Sequence, residues 1–267
     1  LPLEPMGLSL EFAEGEGPII HNPVRDRAAV ERLKMLDDSD LQYVMDAISL
    51  TRKMLTGRVP LIGFAGAPFT LASYAIEGGS SRNYIHTKQM MYGEPDVWHR
   101  LMDKFARVIT GYLRRQIKAG AQAVQLFDSW VGCLSAGDYA EYVMPHVQLI
   151  FDGLKHEGVP LIHFGTGTTA ILKSMRQAGG DVIGIDWRIP LDEAWAMVGY
   201  DRAVQGNLDP VTLFGPIHEI ERRVADILRR AAGRPGHIFN LGHGILPNTP
   251  VEHVAATIDL VHKLSAR

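Results

Sequence analysis

The residues best placed to do chemistry are those where a short apolar run gives way to a turn. His163 lies in Pro160-Leu161-Ile162-His163-Phe164, and His243 follows His237-Ile238-Phe239-Asn240-Leu241. A histidine titrates near neutral pH, so at such a position it can pass a proton, hold a carboxylate or bind a metal. Two of them invite a zinc site. The chain has no His-Glu-x-x-His pairing and a single cysteine, Cys133, so no metal is expected. Other run ends supply Phe64 to Tyr74, then Asp128 and Ser129, then Asp186, Trp187 and Arg188, and finally Asn207 and Asp209. His86, His99, His156, His218, His253 and His262 fall on predicted helices or exposed turns and read as solvated. Cys133 reads as a small buried hydrophobe rather than a nucleophile.

Two glycine-rich stretches decide little. Gly165-Thr166-Gly167-Thr168 opens a helix and could cradle a phosphate, but it lacks a P-loop lysine and reads better as a tight strand-to-helix turn. Gly78-Gly79-Ser80-Ser81 is either a substrate loop or the cap of a short helix at Arg82-Asn83-Tyr84.

The elements that must position these residues alternate along the chain. Short β-rich runs lie at 59–64, 123–127, 160–164, 182–185, 203–206 and 237–241, each one short and largely apolar. Amphipathic helices separate them, for example Leu41, Val44, Met45, Ile48 and Leu55 before Gly57, or Leu101, Phe105, Val108, Ile109 and Tyr112. Others carry Val147, Ile150, Phe151 and Leu154, or Ile217, Ile220, Val224 and Ile227, or Val251, Val254, Ile258 and Val261. Strand–helix alternation means a parallel sheet with right-handed crossovers. Six units fit an open doubly wound sheet, or an eight-stranded barrel whose first two units lie upstream. The opening Leu1-Pro2-Leu3-Glu4-Pro5 reads like the interior of a longer protein and favours the barrel. One domain over residues 1–267 is the simplest organisation.

Composition narrows the partners. With 267 residues, 46% of them hydrophobic, the chain can bury a full core, and it has no apolar run long enough for a membrane span. One cysteine excludes an internal disulfide framework and points to a reducing, cytoplasmic compartment. A net charge of −3 without a basic run argues against nucleic acid and leaves a small polyanionic substrate open.

Six segments, in order, resemble uroporphyrinogen decarboxylases. They are Gly63–Leu71, Tyr74 with Glu77–Ser81, Gln125–Ser129, Gly184–Trp187, Gln205–Pro210 and Asn240–Gly244. The resemblance implies a (β/α)8 TIM barrel, usually a homodimer, that works without cofactor or metal. It implies decarboxylation of the four acetates of uroporphyrinogen III to methyls, giving coproporphyrinogen III in haem biosynthesis. Carried over by position, Tyr74, Ser129 and His243 become substrate contacts, Tyr74 and His243 the candidates for proton relay, and Phe64 and Phe127 the cleft walls. The family's paired arginines and its aspartate facing the pyrrole nitrogens would precede Leu1, and no Arg-Gln-Ala-Gly-Arg-like segment occurs here. Two rival readings remain: a zinc-dependent corrinoid methyltransferase on the same barrel, and a non-catalytic tetrapyrrole-binding barrel. The first needs two thiolates, whereas this chain reads His163-Phe164-Gly165 at one motif and His243 at the other.

Overall fold

The computed structural model describes residues 1–13 and 17–266. An antiparallel hairpin opens it, β1 (Leu10–Ala13) pairing with β2 (Gly17–Ile20). Next come α1 (Arg27–Arg32), whose first turn is capped by Asp26 accepting from the Ala29 N–H, and α2 (Gln42–Met54). Six βα units follow. They run β3 (Ile62–Gly66), α3 (Pro68–Glu77), α4 (Ile85–Gly93), α5 (Pro95–Lys118), β4 (Ala123–Asp128), α6 (Ala136–Asp138), α7 (Met144–Leu154) and β5 (Leu161–Gly165). The remainder are α8 (Leu172–Ala178), β6 (Val182–Gly184), α9 (Leu191–Val198), β7 (Ala203–Gln205), α10 (Ile217–Ala231), β8 (His237–Ile238) and α11 (Val251–Ser265).

Strand order separates the two architectures that periodicity left open. The sheet runs β3-β4-β5-β6-β7-β8 in consecutive order, with every pair parallel. A doubly wound sheet needs a switch point where that order reverses, and this one has none. The sheet also curls. Gln205 on β7 donates from Nε2 to Gln125 Oε1 on β4 at 3.1 Å, although the two strands are three places apart. In a flat sheet those strands would stand roughly 14 Å apart with side chains side by side. The chain is therefore an arc of a (β/α) barrel, and β3 and β8 form its ends among the described residues.

The Gln125–Gln205 contact also shows which face is inside. Strand register carries that face through Phe64, Phe127, Ile162, Phe164 and Gln205, while Leu126, Asp128, His163 and Ile183 turn outward to the helices. The main core lies between these outward side chains and the helix layer. In α5 it takes Val97, Trp98, Leu101, Met102, Phe105, Val108, Ile109 and Tyr112, a helical stripe of spacings three and four. At the two ends of the arc the helices bury little: α2 buries Met45 and α11 buries Thr257, leaving Met54 and Val251 exposed.

Several expectations shift. The hairpin at residues 10–20 has no counterpart in the sequence reading, because a four-residue strand is too short to show a period. The first barrel strand starts at Ile62 rather than Val59. The last forms two paired residues plus a bridge between Leu208 and Leu241. Arg82-Asn83-Tyr84 is not helical; Ser81 Oγ accepts the Tyr84 N–H ahead of α4. The largest correction concerns Tyr74, expected in a loop after β3. Ala67 is followed at once by α3, with Pro68 in the first turn, so Tyr74 stands on a helix.

Candidate active site

The inner face of the barrel ends in a run of ring contacts. Phe64 meets Phe127 edge-on at 5.7 Å between centroids, and Phe127 meets Phe164 at 5.7 Å. Phe164 meets His243 at 6.3 Å, and His243 meets the edge of Trp187 at 6.3 Å. The Arg188 guanidinium then lies 4.0 Å from the centroid of the Trp187 ring. Parallel register sets up the first part, because Phe64, Phe127 and Phe164 stand near the strands' C-terminal ends, where barrel enzymes place their sites. Phe164 is buried and Phe127 half-buried, while Phe64, on the end strand of the arc, is 62% exposed.

Of the residues singled out by sequence, Phe64, Phe127 and His243 join this run directly. His243 is exposed and reachable from solvent. Tyr74 and Ser129 gather at the adjoining strand end. Tyr74 packs edge-on against Trp130 at 6.0 Å, and Trp130 follows Ser129 in sequence. No ring contact or hydrogen bond links them to the His243 run among the described residues. Burial pushes the Tyr74 phenol above its ordinary value, against the pull of the Trp130 indole N–H. Tyr74 therefore stays neutral at working pH and can donate a hydrogen bond.

Behind the β4 end lies a buried polar group, Asp128, which the sequence places at a run end. Asp128 is fully buried and accepts from Thr70 Oγ1 at 3.0 Å, while its Oδ2 has no partner. Burial pushes this carboxyl up to about 7, opposed by the hydrogen bonds from Thr70. The Tyr139 hydroxyl, near enough to feel the Asp128 charge, is also buried without a partner. Nearby, Gly132 is fixed by a close approach, since a Cβ there would stand 2.2 Å from the Thr166 carbonyl oxygen. The Gly165–Thr168 stretch is the tight turn expected, closing β5 and opening a short 3-10 turn at Thr169–Ile171.

The two strand-end histidines do not share a site. His163 points outward into the helix layer, its ring 5.1 Å from that of Phe151, whereas His243 meets the inward-facing Phe164. Burial pushes His163 down to about 4, so it is a neutral core residue. Among the described residues no three His, Cys, Asp or Glu side chains converge. Burial pushes the Cys133 thiol up to about 11, the opposite of what a nucleophile needs. Two histidines expected in solvent are instead engaged. His99 pairs with His146 at 2.9 Å and stacks on Tyr142, and His253 bonds the Leu213 carbonyl at 2.8 Å.

Asp186 and Arg188, singled out in the sequence only as residues at a run end, form a buried pair. Asp186 is 1% exposed and accepts from the Gly167 N–H at 2.6 Å, the Arg188 N–H at 3.1 Å and Arg188 Nη1 at 2.6 Å. Asn207 fixes the same loop by donating to the carbonyls of Asp186 and Ile189. A cavity of about 260 Å³ opens beside Trp187 and Arg188, under α10. It adjoins the ring run but contains none of Tyr74, Ser129 and His243.

Comparisons with known proteins agree with this arrangement. The family model described as Uroporphyrinogen decarboxylase (URO-D) matches residues 1–264. A curated "Uroporphyrinogen decarboxylase" of Sorangium cellulosum (strain So ce56) is 61% identical over 265 residues, covering 99% of this chain and 76% of the relative. One of the same name from Carboxydothermus hydrogenoformans is 55% identical over 267 residues, covering 100% of this chain and 76% of that protein. Among solved structures, a methyltransferase from Methanosarcina mazei superposes with a TM-score of 0.82 at 18% identity, over 99% of this chain and 77% of that one, a likeness of fold alone. A B12-independent methionine synthase from Shewanella sp. W3-18-1 follows at a TM-score of 0.60 and 12% identity, covering 97% of this chain and 73% of that one. With the family model matching residues 1–264 and a curated relative 61% identical over 99% of the chain, this chain belongs to the uroporphyrinogen decarboxylase family.

Proposed function

We propose that this chain is a carboxy-lyase that removes the acetate carboxylates of uroporphyrinogen III, giving coproporphyrinogen III and CO₂. The observation that carries the reading is the 61% identity to a curated uroporphyrinogen decarboxylase across 99% of the chain. The barrel mouth supports it. An aromatic floor of Phe64 and Phe127 suits a flat, apolar macrocycle, and the polar rim of His243, Tyr74 and Ser129 suits its carboxylates.

The chemistry needs no external electron sink. A proton added to the pyrrole α-carbon next to the carbon that bears the acetate makes that ring cationic. The bond to CO₂ then breaks, and its electron pair returns to the ring. The exocyclic carbon takes up a proton and becomes a methyl, and the ring carbon gives up the proton it received, restoring the pyrrole. His243, an exposed imidazole, suits proton transfer, and the neutral Tyr74 hydroxyl suits carboxylate binding. Ser129, whose hydroxyl has no partner among the described residues, is a further donor. We further propose a homodimer acting in the cytoplasm, as one domain over residues 1–267; no helix among the described residues is long and apolar enough to cross a membrane.

The test is an anaerobic incubation with uroporphyrinogen III, followed by oxidation and separation of the porphyrins by carboxylate number. Products with seven to four carboxylates are expected. Unchanged eight-carboxylate material from folded protein would remove the activity from this chain. A sedimentation mass of two chains is expected from the same sample.

A further inference from the structure

We propose that Arg188 is a substrate-positioning residue whose free guanidinium edge grips one carboxylate arm of the tetrapyrrole, held in that attitude by the buried Asp186. The inference rests on the decarboxylase reading for the identity of the polyanion, and on geometry for the site.

Four arginines line the cavity at the barrel rim: Arg188, Arg222, Arg223 and Arg230. A guanidinium grips a carboxylate with two parallel donors, and its Nε and Nη2 together form one such fork. Arg222 spends both on Glu219, at 2.7 Å each. Arg223 gives Nε to the same carboxylate, at 2.7 Å. Arg230 gives Nε to Asp226 and Nη1 to Asp192, both at 2.7 Å. Arg188 differs. It is tied through Nη1 alone, so of the four it keeps the whole Nε–Nη2 edge open among the described residues.

That edge is held still from two sides. Asp186 is fixed by two backbone N–H groups before it meets Arg188, and the guanidinium carbon lies over the Trp187 ring, 4.0 Å from its centroid. A long side chain that is 47% exposed ordinarily gives up rotamer freedom on binding. Here most of that freedom is already lost, which lowers the entropic cost of gripping a ligand. Trp187 is also the residue whose edge meets His243, so the arginine and the histidine flank one indole. A macrocycle on the phenylalanine floor would thus present neighbouring carboxylates to His243 and Arg188. The cavity of about 260 Å³ receives an acetate or propionate arm, not the ring. Asp209 and Asp226 line the same cavity; Asp209 takes the Val211 N–H, and Asp226 is held by Arg229 and Arg230.

Binding of uroporphyrin, the stable oxidised eight-carboxylate macrocycle, tests this without requiring turnover. Uroporphyrin fluorescence would be titrated with the 267-residue chain and with Arg188→Ala and Arg188→Lys, each checked by thermal melting. We expect Arg188→Ala to weaken binding about tenfold or more, as for a lost charge-assisted pair, in a protein still folded at the assay temperature although it melts lower for want of a partner to the buried Asp186. Arg188→Lys, which keeps the charge but not the fork, should recover only part of that loss. Equal affinity in all three proteins would overturn the role of Arg188 and leave the decarboxylase reading standing. No binding by the unaltered chain would overturn both.

Discussion

At the scale of single residues, His243 and Tyr74 occupy different physical settings. His243 is exposed and packed only against ring edges, so a proton can reach it from solvent. Tyr74 is half-buried and holds its proton more tightly than a free phenol. Replacing His243 by Asn keeps a polar group of similar reach but removes the titrating ring. We expect His243→Asn to lower kcat roughly 100-fold, at the lower end of what general acid–base groups contribute. We expect Tyr74→Phe, which deletes one hydrogen bond, to cost about tenfold, mainly in KM. Steady-state kinetics on uroporphyrinogen III checks both. A His243→Asn enzyme with unchanged kcat would confine His243 to binding.

At the scale of elements, the end strand β3 shows how a side chain can finish a sheet. Ala67 N–H donates to Phe127 O at 2.8 Å, so by alternation the Phe64 N–H and C=O point away from β4. Both are met by one buried amide: Gln116 of α5 accepts from Phe64 N at 2.9 Å and donates to Phe64 O at 2.8 Å. Gly63 makes room, since a Cβ there would lie 2.5 Å from Gln116 Oε1. Phe64 in turn carries the outer end of the aromatic floor. Gln116→Leu should therefore destabilise the fold by about 2 kcal/mol, the cost of leaving two backbone groups unpaired. Urea unfolding measures it, and hydrogen exchange should show faster exchange at Phe64 than at Val124. A variant as stable as the parent would mean that water replaces Gln116 at no cost.

At the scale of the whole molecule, buried titratable groups set the dependence of stability on pH. Asp128 rises to about 7 when folded, so above its unfolded value near 4 the native state keeps a proton that the unfolded chain releases. Its contribution therefore falls as pH rises from about 4 to about 7. His163 and His146 are pushed down to about 4, each chiefly by burial, with His99 adding to the shift at His146. They act oppositely: their contribution rises between about 4 and the unfolded histidine value near 6.5. The sum should rise with pH to about 6.5, then dip by way of Asp128 alone. In Asp128→Asn the falling part is absent. Its stability relative to the parent should therefore grow from pH 5 to pH 8, by on the order of 1 kcal/mol per pH unit up to neutrality. Urea denaturation at four pH values decides it, and a difference independent of pH would place the Asp128 proton elsewhere.

By itself the sequence determined the alternation of strands and helices, the residues on each apolar face and the six family segments, because periodicity and turn chemistry are local. It also placed Phe64, Phe127, Ser129 and His243 at strand ends, since a strand's end is marked by the residues that break its period. Tyr74 was misplaced because Pro68 directly after a strand reads equally as a loop or as the first turn of a helix. Tertiary structure alone decided which strands are neighbours, and so barrel over open sheet, because pairing partners are not encoded in the period of either strand. It alone turned His163 outward and His243 inward, and set Gln116 against the backbone of a strand 52 residues away. The pairing of Asp186 with Arg188 was decided there for the same reason. Two ordinary strand-end residues become a carboxylate grip only when burial fixes one and an indole supports the other.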